Sequence, residues 1–318
     1  MVYLIVLLAL LFLTAKGYCG KKTSTCVQQI GDAFRFNILR MLLCMLIGLV
    51  VVFLEGAQGS FAIDRGMLMI CMAAGIFNAM FLIGWILAIR QNSMITMDVS
   101  LTLGSILPAV LCAVLFDEPI SLTKLIGFAL ILVAAGILAG HNKSSKTKSG
   151  IGGILLVIIA SVGEGMVSFT QQLYKQYYTA DGTAFGEILY PKSIYNFYIY
   201  VFAAITLILA LIAYDVCQCV KNPTIRWADS VKAGIRTLIG PFPYIVVMAI
   251  CMFAATYFQT VATGDYGMSS QVLYPLLKGG CLVTVNIVAM LFFGEKITKR
   301  SVLGTTVALA GVVVMNVL

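Results

Sequence analysis

Long apolar runs alternate with short polar breaks along this chain. The run "VYLIVLLALLFL" gives way to "AKGYCGKKTSTCVQQ", and the same change recurs to the last residues. A bilayer core takes about 20 mostly apolar residues as one helix. On that measure the pattern predicts ten membrane-spanning helices, near residues 2–19, 33–54, 66–89, 94–116, 121–140, 151–174, 194–214, 238–262, 268–292 and 300–318. The runs are continuous and rich in Leu, Ala and Gly. Barrel strands would instead alternate polar and apolar positions over about 10 residues each. The first run is read as a helix rather than a signal peptide, because no basic region precedes it and "LTAKGYCG" has no small-x-small cleavage site.

Composition narrows the class. Hydrophobic residues make up 61% of the chain and charged residues 11%, and the mean hydropathy is +1.01. That describes an all-α integral membrane protein whose first partner is the lipid bilayer. The net charge of +8 is spread over short loops, so no nucleic-acid partner is expected. Loops after the odd-numbered helices carry 14 basic residues and the opposite loops carry 4, and Lys16, Arg40 and Lys278 lie within spans or near their ends. By the positive-inside rule this split puts both termini outside the cytoplasm. Five cysteines (Cys44, Cys71, Cys112, Cys251, Cys281) fall inside apolar runs as small packing residues. The pairs Cys19 with Cys26 and Cys217 with Cys219 leave metal binding or oxidation open, with neither the more common outcome.

Two stretches nearly repeat each other, "LFDEPISLTKLIGFALILVAAG" from Leu115 and "LFFGEKITKRSVLGTTVALAG" from Leu291. At an offset of 177 residues, Glu118 meets Glu295, Ser121 meets Thr298 and Gly127 meets Gly304. A weaker echo sets Asn37 in "FRFNILRMLL" against Asn196 in "SIYNFYIYVF". The chain therefore divides into a first five-helix repeat (residues 1–140), a polar linker "HNKSSKTKSG" (141–150) and a second five-helix repeat (151–318). An odd number of helices per repeat inverts the second half, and inverted repeats are typical of secondary transporters with a site at the midplane.

On these motifs the chain resembles the drug/metabolite transporter (DMT) superfamily, in its ten-helix EamA-like branch. The resemblance implies a multi-pass transporter, here expected in a bacterial inner (plasma) membrane, with a cavity lined by helices one to four and six to nine. It also implies cytoplasmic termini, against the charge count. The branches that move nucleotide sugars and sugar phosphates resemble this chain in having a Lys-Gly near the start of helix nine, where a cation can meet an anion.

Several polar residues inside the runs are candidates for chemistry. Glu164, in "SVGEGMVSF", stands about halfway along its span, where an acidic side chain costs roughly 2.5 to 3.5 kcal/mol. Its neighbours Gly163 and Gly165 leave space, and Ser161, Ser168 and Gln171 share its face. A carboxylate there is placed to carry a proton as a coupling ion, or to hold a substrate ammonium. The alternative is an ion pair with Lys278. Gln271, Tyr274 and Lys278 form one stripe in "SSQVLYPLLKGGCLVTVN", with Gly279 and Gly280 leaving room for substrate or for a neighbouring helix. Asp98, Thr102 and Ser105 share a face in "MDVSLTLGSILP", and Asn78 and Gln259 are further polar positions within spans. Glu118 and Glu295 face helix starts capped by Ser121 and Thr298, while Gly127, Gly136, Gly304 and Gly311 are expected to let the fifth and tenth helices pack closely.

No zinc-protease helix, Walker loop, nucleophile elbow or catalytic carboxylate pair occurs, and the single histidine, His141, lies in the linker. The chain is thus expected not to be an enzyme and to need no cofactor. The favoured expectation is a secondary transporter of a small polar organic metabolite, amino-acid-like or anionic, working by alternating access. A polyspecific drug or lipophilic-cation exporter of the same fold, and a non-transporting receptor or scaffold, are the alternatives. Nothing in the sequence specifies the oligomeric state.

Overall fold

A computed structural model describes residues 2–91, 101, 104, 106–116, 121–139, 151–178, 190–221, 234, 236–268, 270–294 and 298–317. Among them the chain is helical, with α1 Val2–Ser24, α2 Ile30–Leu54, α3 Arg65–Gln91, α4 Ile106–Leu115 and α5 Leu122–Ala139. The order continues with α6 Ile151–Tyr178, α7 Lys192–Lys221, α8 Phe242–Gly264, α9 Ser270–Phe293 and α10 Lys299–Val317. A short 3-10 turn, Ala57–Ser60, follows α2. Seven helices (α1, α2, α3, α6, α7, α8 and α9) hold spans long and apolar enough to cross a membrane. The apolar parts of α4, α5 and α10 are shorter, at Ile106–Leu115, Leu122–Ala134 and Val302–Val314. Large apolar side chains such as Leu7, Leu11, Val50, Leu209 and Leu303 are exposed on the outside of the bundle, as a lipid-facing surface requires. The chain is a multi-pass membrane protein.

Local chemistry sets where several helices begin and end. The Asp32 carboxylate accepts the backbone N–H groups of Gln28 and Gln29 at 3.1 and 3.0 Å as α2 begins. Asp64 accepts those of Gly66 and Met67 at the start of α3, and Pro241 and Pro243 open α8, where a missing N–H costs nothing. Gly294 ends α9 at φ 60°, the left-handed conformation that suits glycine at a helix C-terminus. The Ser121 and Thr298 carbonyls accept from Leu125 and Val302 at 3.2 and 3.0 Å, so the two aligned residues open α5 and α10 alike. Glu118 and Glu295 lie outside the described residues.

The helices pack in a specific set of pairs. The most extensive contacts are α3 on α6, α1 on α8, α2 on α7, α5 on α10 and α3 on α7. Glycine makes several of them possible. A Cβ at Gly163 would lie 2.6 Å from the Phe81 nitrogen and 2.9 Å from the Phe77 carbonyl oxygen, and one at Gly84 would meet Ala160 and the Leu156 carbonyl at 2.9 Å. These contacts make α3 and α6 antiparallel. Arg35 near the start of α2 pairs with Asp215 near the end of α7 at 3.1 Å, and Val52 near the end of α2 packs with Ile194 at the start of α7. Those helices are antiparallel too. Asn37 and Asn196, aligned by the weaker echo, are both fully buried. Each donates from Nδ2 at 2.9 Å to the carbonyl four residues back.

One expectation is corrected here. Gly311 does meet the Gly127 carbonyl, at 2.8 Å from its virtual Cβ, and Gly127 and Gly304 are buried. Gly136 faces open space among the described residues and makes no close contact with them.

The glycine contacts make a prediction about stability. Gly163→Ala overfills the α3–α6 seam and should cost about 1 to 3 kcal/mol, read as a lower thermal midpoint of the purified protein in detergent. Gly136→Ala, with nothing nearby, should leave the midpoint unchanged or slightly raised. Equal midpoints for both variants would show that the seam tolerates a methyl group.

Candidate functional site

Polar residues from six helices meet around one cavity of about 60 Å³, a polar space large enough to hold ordered water. Its walls come from α1 (Leu13, Lys16), α3 (Asn78, Phe81), α6 (Glu164, Val167, Ser168, Gln171), α7 (Ile199, Tyr200), α8 (Met252, Thr256, Gln259) and α9 (Tyr274, Leu277, Lys278). Helices α2 and α4, expected to contribute, supply no lining residue among those described.

The geometry of α6 places the carboxylate. Gly163 lies against the α3 backbone and Gly165 against the Gly104 carbonyl of the fourth segment. The two glycines therefore do not open space around Glu164, as the sequence suggested. They bring the helices on both sides into contact, and the residue between them is turned to the cavity. Ser168 and Gln171 share this face, whereas Ser161 is buried outside the cavity lining, its hydroxyl donating to the Val157 carbonyl at 2.9 Å.

Lys278 donates from Nζ to Glu164 Oε1, and both side chains keep only about one sixth of their surface, at 15% and 16% exposure. Glu164 Oε2 is buried with no hydrogen-bond partner. Two turns along α6, Gln171 Oε1 accepts from the Tyr274 hydroxyl, and Gln171 Nε2 is buried without a partner. Thus α6 and α9 are joined by two polar rungs, each with an unused buried group. Unused hydrogen-bonding capacity beside a cavity is what a ligand or ordered water would occupy. Gly279 and Gly280 do not serve that purpose, because Val312 of α10 and Leu10 of α1 fill the space against them.

The structure thus gathers Glu164, Lys278, Tyr274, Asn78 and Gln259 around the cavity. Asp98, Thr102 and Ser105 lie outside the described residues. Gln271 is placed in α9, with its side chain outside the description. Tyr200 and Thr256 join the lining without having been singled out.

Two buried cations were also passed over. The Lys16 ammonium sits 5.2 Å from the Phe81 ring centroid and 5.7 Å from that of Trp85. Arg40 is fully buried, its guanidinium 5.8 Å from the Trp85 centroid and 6.0 Å from that of Phe36. None of its three side-chain nitrogens has a hydrogen-bond partner. The signal was present, since any ionisable residue within a span points to a pathway or a partner. Among the described residues no group of three or more His, Cys, Asp or Glu side chains is placed to hold a metal.

A protein of known crystal structure shares this fold. The two superpose with a TM-score of 0.64 over 99% of this chain and 97% of the other, at 11% identity. At that identity the likeness carries the fold alone, and it shows that the whole chain is one architecture found elsewhere. No family model matches the sequence, and no curated protein does.

The ion pair predicts a double-mutant result. Lys278→Met alone leaves the Glu164 carboxylate without its partner in an apolar interior and should lower stability by about 3 to 5 kcal/mol. Glu164→Gln with Lys278→Met should restore most of it. Thermal unfolding of the four proteins in detergent measures the coupling, and strictly additive effects would mean that the pair contributes nothing to the fold.

Proposed function

We propose that the chain is a secondary transporter of a small polar organic metabolite, amino-acid-like or anionic, with ten spans arranged as two inverted five-helix repeats related to the DMT superfamily. The observation that carries this reading is the polar cavity, set about halfway along α6 where helices from both halves meet. In an apolar bundle a partly desolvated ion pair beside unused polar groups is costly, and such groups mark substrate or ion pathways.

The packing supports the inverted repeat. Exchanging each helix with the one five places on returns most of the larger contacts. The pair α3–α6 becomes α8–α1, α4–α6 becomes α9–α1, and α2–α7 and α5–α10 map onto themselves. Because α2 and α7 are antiparallel, their halves run in opposite directions. Because α3 and α6 are also antiparallel and side by side, the chain between them leaves and returns at the same face. That requires an even number of crossings, which α4 and α5 fill. Alternating access then follows from rocking one half against the other about the central cavity.

Lys16 and Lys278 on the cavity wall count against a site that selects lipophilic cations, since like charges repel in a low-dielectric space. A scaffold has no need of a polar cavity between its halves. Flux of a solute in proteoliposomes separates transport from the scaffold reading.

Two outcomes are expected. A cysteine placed in the linker 141–150 and one placed after Leu318 should be labelled by a membrane-impermeant reagent from opposite sides. Labelling of both from one side would overturn the ten-span reading, and the side that reaches the linker decides between the charge rule and the family expectation. If Glu164 carries the coupling proton, Glu164→Gln should abolish uptake driven by a pH gradient while preserving exchange of substrate across the membrane. Undiminished gradient-driven uptake would remove Glu164 from the coupling.

A further inference from the structure

Glu164 has one oxygen that the fold leaves open. Lys278 donates to Oε1, whereas Oε2 is buried without a hydrogen-bond partner. A carboxylate in an apolar bundle is stabilised by what its two oxygens accept, and a bare buried oxygen is unfavourable. Two occupants fit it, a second cationic donor or a proton.

Lys16 is the donor that the fold supplies. It lines the same cavity, is buried and lies within electrostatic reach of Glu164, which acts on it more strongly than Lys278 or Arg40 does. Its ammonium rests 5.2 Å from the Phe81 ring centroid and 5.7 Å from that of Trp85. The Phe81 backbone in turn lies against Gly163, the residue before Glu164. A lysine has a flexible four-carbon stem with which to turn from the ring faces to the carboxylate. A cation–π contact and a charge-assisted hydrogen bond are comparable in strength, so the rings do not hold the ammonium against the carboxylate.

The two halves of the chain give this choice a consequence. Lys16, Phe81 and Trp85 lie in α1 and α3, whereas Glu164 and Lys278 lie in α6 and α9. Displacement of the halves leaves the Lys278 contact in place and changes the distance from Lys16 to Oε2. Among the described lining residues, Lys16 is the one cation on the first-half wall. We propose that Lys16 and a proton are alternative occupants of Glu164 Oε2, which makes Lys16 the positioning residue that ties the proton on Glu164 to the relative position of the halves. This rests on the reading of Glu164 as the coupling carboxylate. With Lys16 on the ring faces, a hydronium ion in the cavity gives its proton to Oε2 and leaves as water. When Lys16 turns to Oε2, the proton passes back to water and the carboxylate is held by two ammonium groups.

The other charged groups around Lys16 and Glu164 are Lys278 of α9 and, behind Lys16, Arg40 of α2. The titratable neutral groups are Tyr200 of α7, Tyr274 of α9 and the thiols of Cys44, Cys112, Cys251 and Cys281. The lining side chains of α3, Asn78 and Phe81, do not ionise. Thiols, phenols, ammonium and guanidinium groups ordinarily keep one charge between about pH 5 and 7.5. A response in that interval that depends on residue 164 therefore reports the carboxylate.

Trp85 reports the exchange without an added label. The chain has two tryptophans, so Trp227→Phe leaves Trp85 alone, and an ammonium leaving its ring face alters its emission. Arg40, 5.8 Å from the same ring, keeps its charge and adds a constant background. In the full-length protein in detergent, Trp85 emission should change reversibly over that pH interval. The change should be lost in Glu164→Gln and in Lys16→Met and kept in Lys16→Arg. If Lys16→Met does not fold, Lys16→Gln, polar and uncharged, makes the same comparison. A flat profile in the parent, or a change that survives loss of either charge, overturns the competition. Uptake of alanine and of succinate into proteoliposomes keeps the two readings apart. With both readings correct, Lys16→Met retains exchange and loses accumulation driven by a pH gradient. The fluorescence response without flux of either solute supports the competition and counts against transport. Gradient-driven uptake undiminished in Lys16→Met supports transport and overturns the competition.

Discussion

The placement of Glu164 depends on two glycines. Gly163 lets the α3 backbone approach from one side of α6, and Gly165 lets the backbone at Gly104 approach from the other. A side chain at either position would push these helices apart, because helix backbones this close leave no volume for a Cβ. With both flanks held, residue 164 has one free direction, which leads into the cavity. Lys278 of α9 meets it there. The same seams hold the Asn78 and Phe81 wall of α3 opposite the α6 wall, so the shape of the cavity and the position of its carboxylate follow from one constraint.

A buried ion pair is a poor source of stability, since desolvation cancels much of the attraction. Its more informative feature is what it leaves unsatisfied. Glu164 uses one oxygen and Gln171 uses only its carbonyl, so each rung between α6 and α9 keeps a buried group without a partner. A fold selected for stability alone would replace these residues with apolar ones of similar volume at little cost. The surrounding interior does so nearly everywhere, in the large cluster that runs from Cys19 through Ala308. Lys16, Asn78 and Gln171 are polar exceptions that line the cavity, while others, among them Asn37, Asn196 and Asp215, are buried elsewhere in the bundle.

The helices and most of the cavity were legible in the sequence, because continuous apolar runs and polar residues within them are strong signals. Glu164, Lys278, Tyr274, Asn78 and Gln259 were each found in this way. Lys16 and Arg40 were missed for a reason that lies in the helix ends. The pattern ended the first helix near residue 19, which set Lys16 close to a boundary where a lysine reaches headgroups. The helix continues to Ser24, and the extra turn and a half carries Lys16 inward. Likewise α2 begins at Ile30 and not near 33, which deepens Arg40. The role of Gly163 and Gly165 was also beyond the sequence, since small neighbours look like free space until the helix that fills it is known. For the same reason Gly136 looked like a packing residue and is not one.

The polar ties fall into two classes that differ in what a movement of the halves does to them. The rungs Glu164–Lys278 and Gln171–Tyr274 both join α6 to α9, within the second half, and survive any rigid displacement of that half. Side-chain ties between the halves lie toward both ends and also in the middle, where the Thr14 and Thr284 hydroxyls meet at 2.6 Å between α1 and α9. Arg35 and Asp215 join α2 to α7 near one face. Near the other, Tyr257 of α8 donates to Glu55 beyond α2, and Tyr198 of α7 donates to the Phe61 carbonyl at 2.7 Å. A rocking motion that opens one face therefore has to break the set at that face and slide the α3–α6 and α1–α8 seams, while the set at the other face acts as its hinge. The cavity between them keeps its carboxylate and Lys278 throughout, and exchanges only the wall that carries Lys16 and Asn78. The wall that carries Lys16 and Asn78 and the part that holds the ion pair therefore belong to different halves. A ligand that bridges them is the natural means of coupling binding to their relative position.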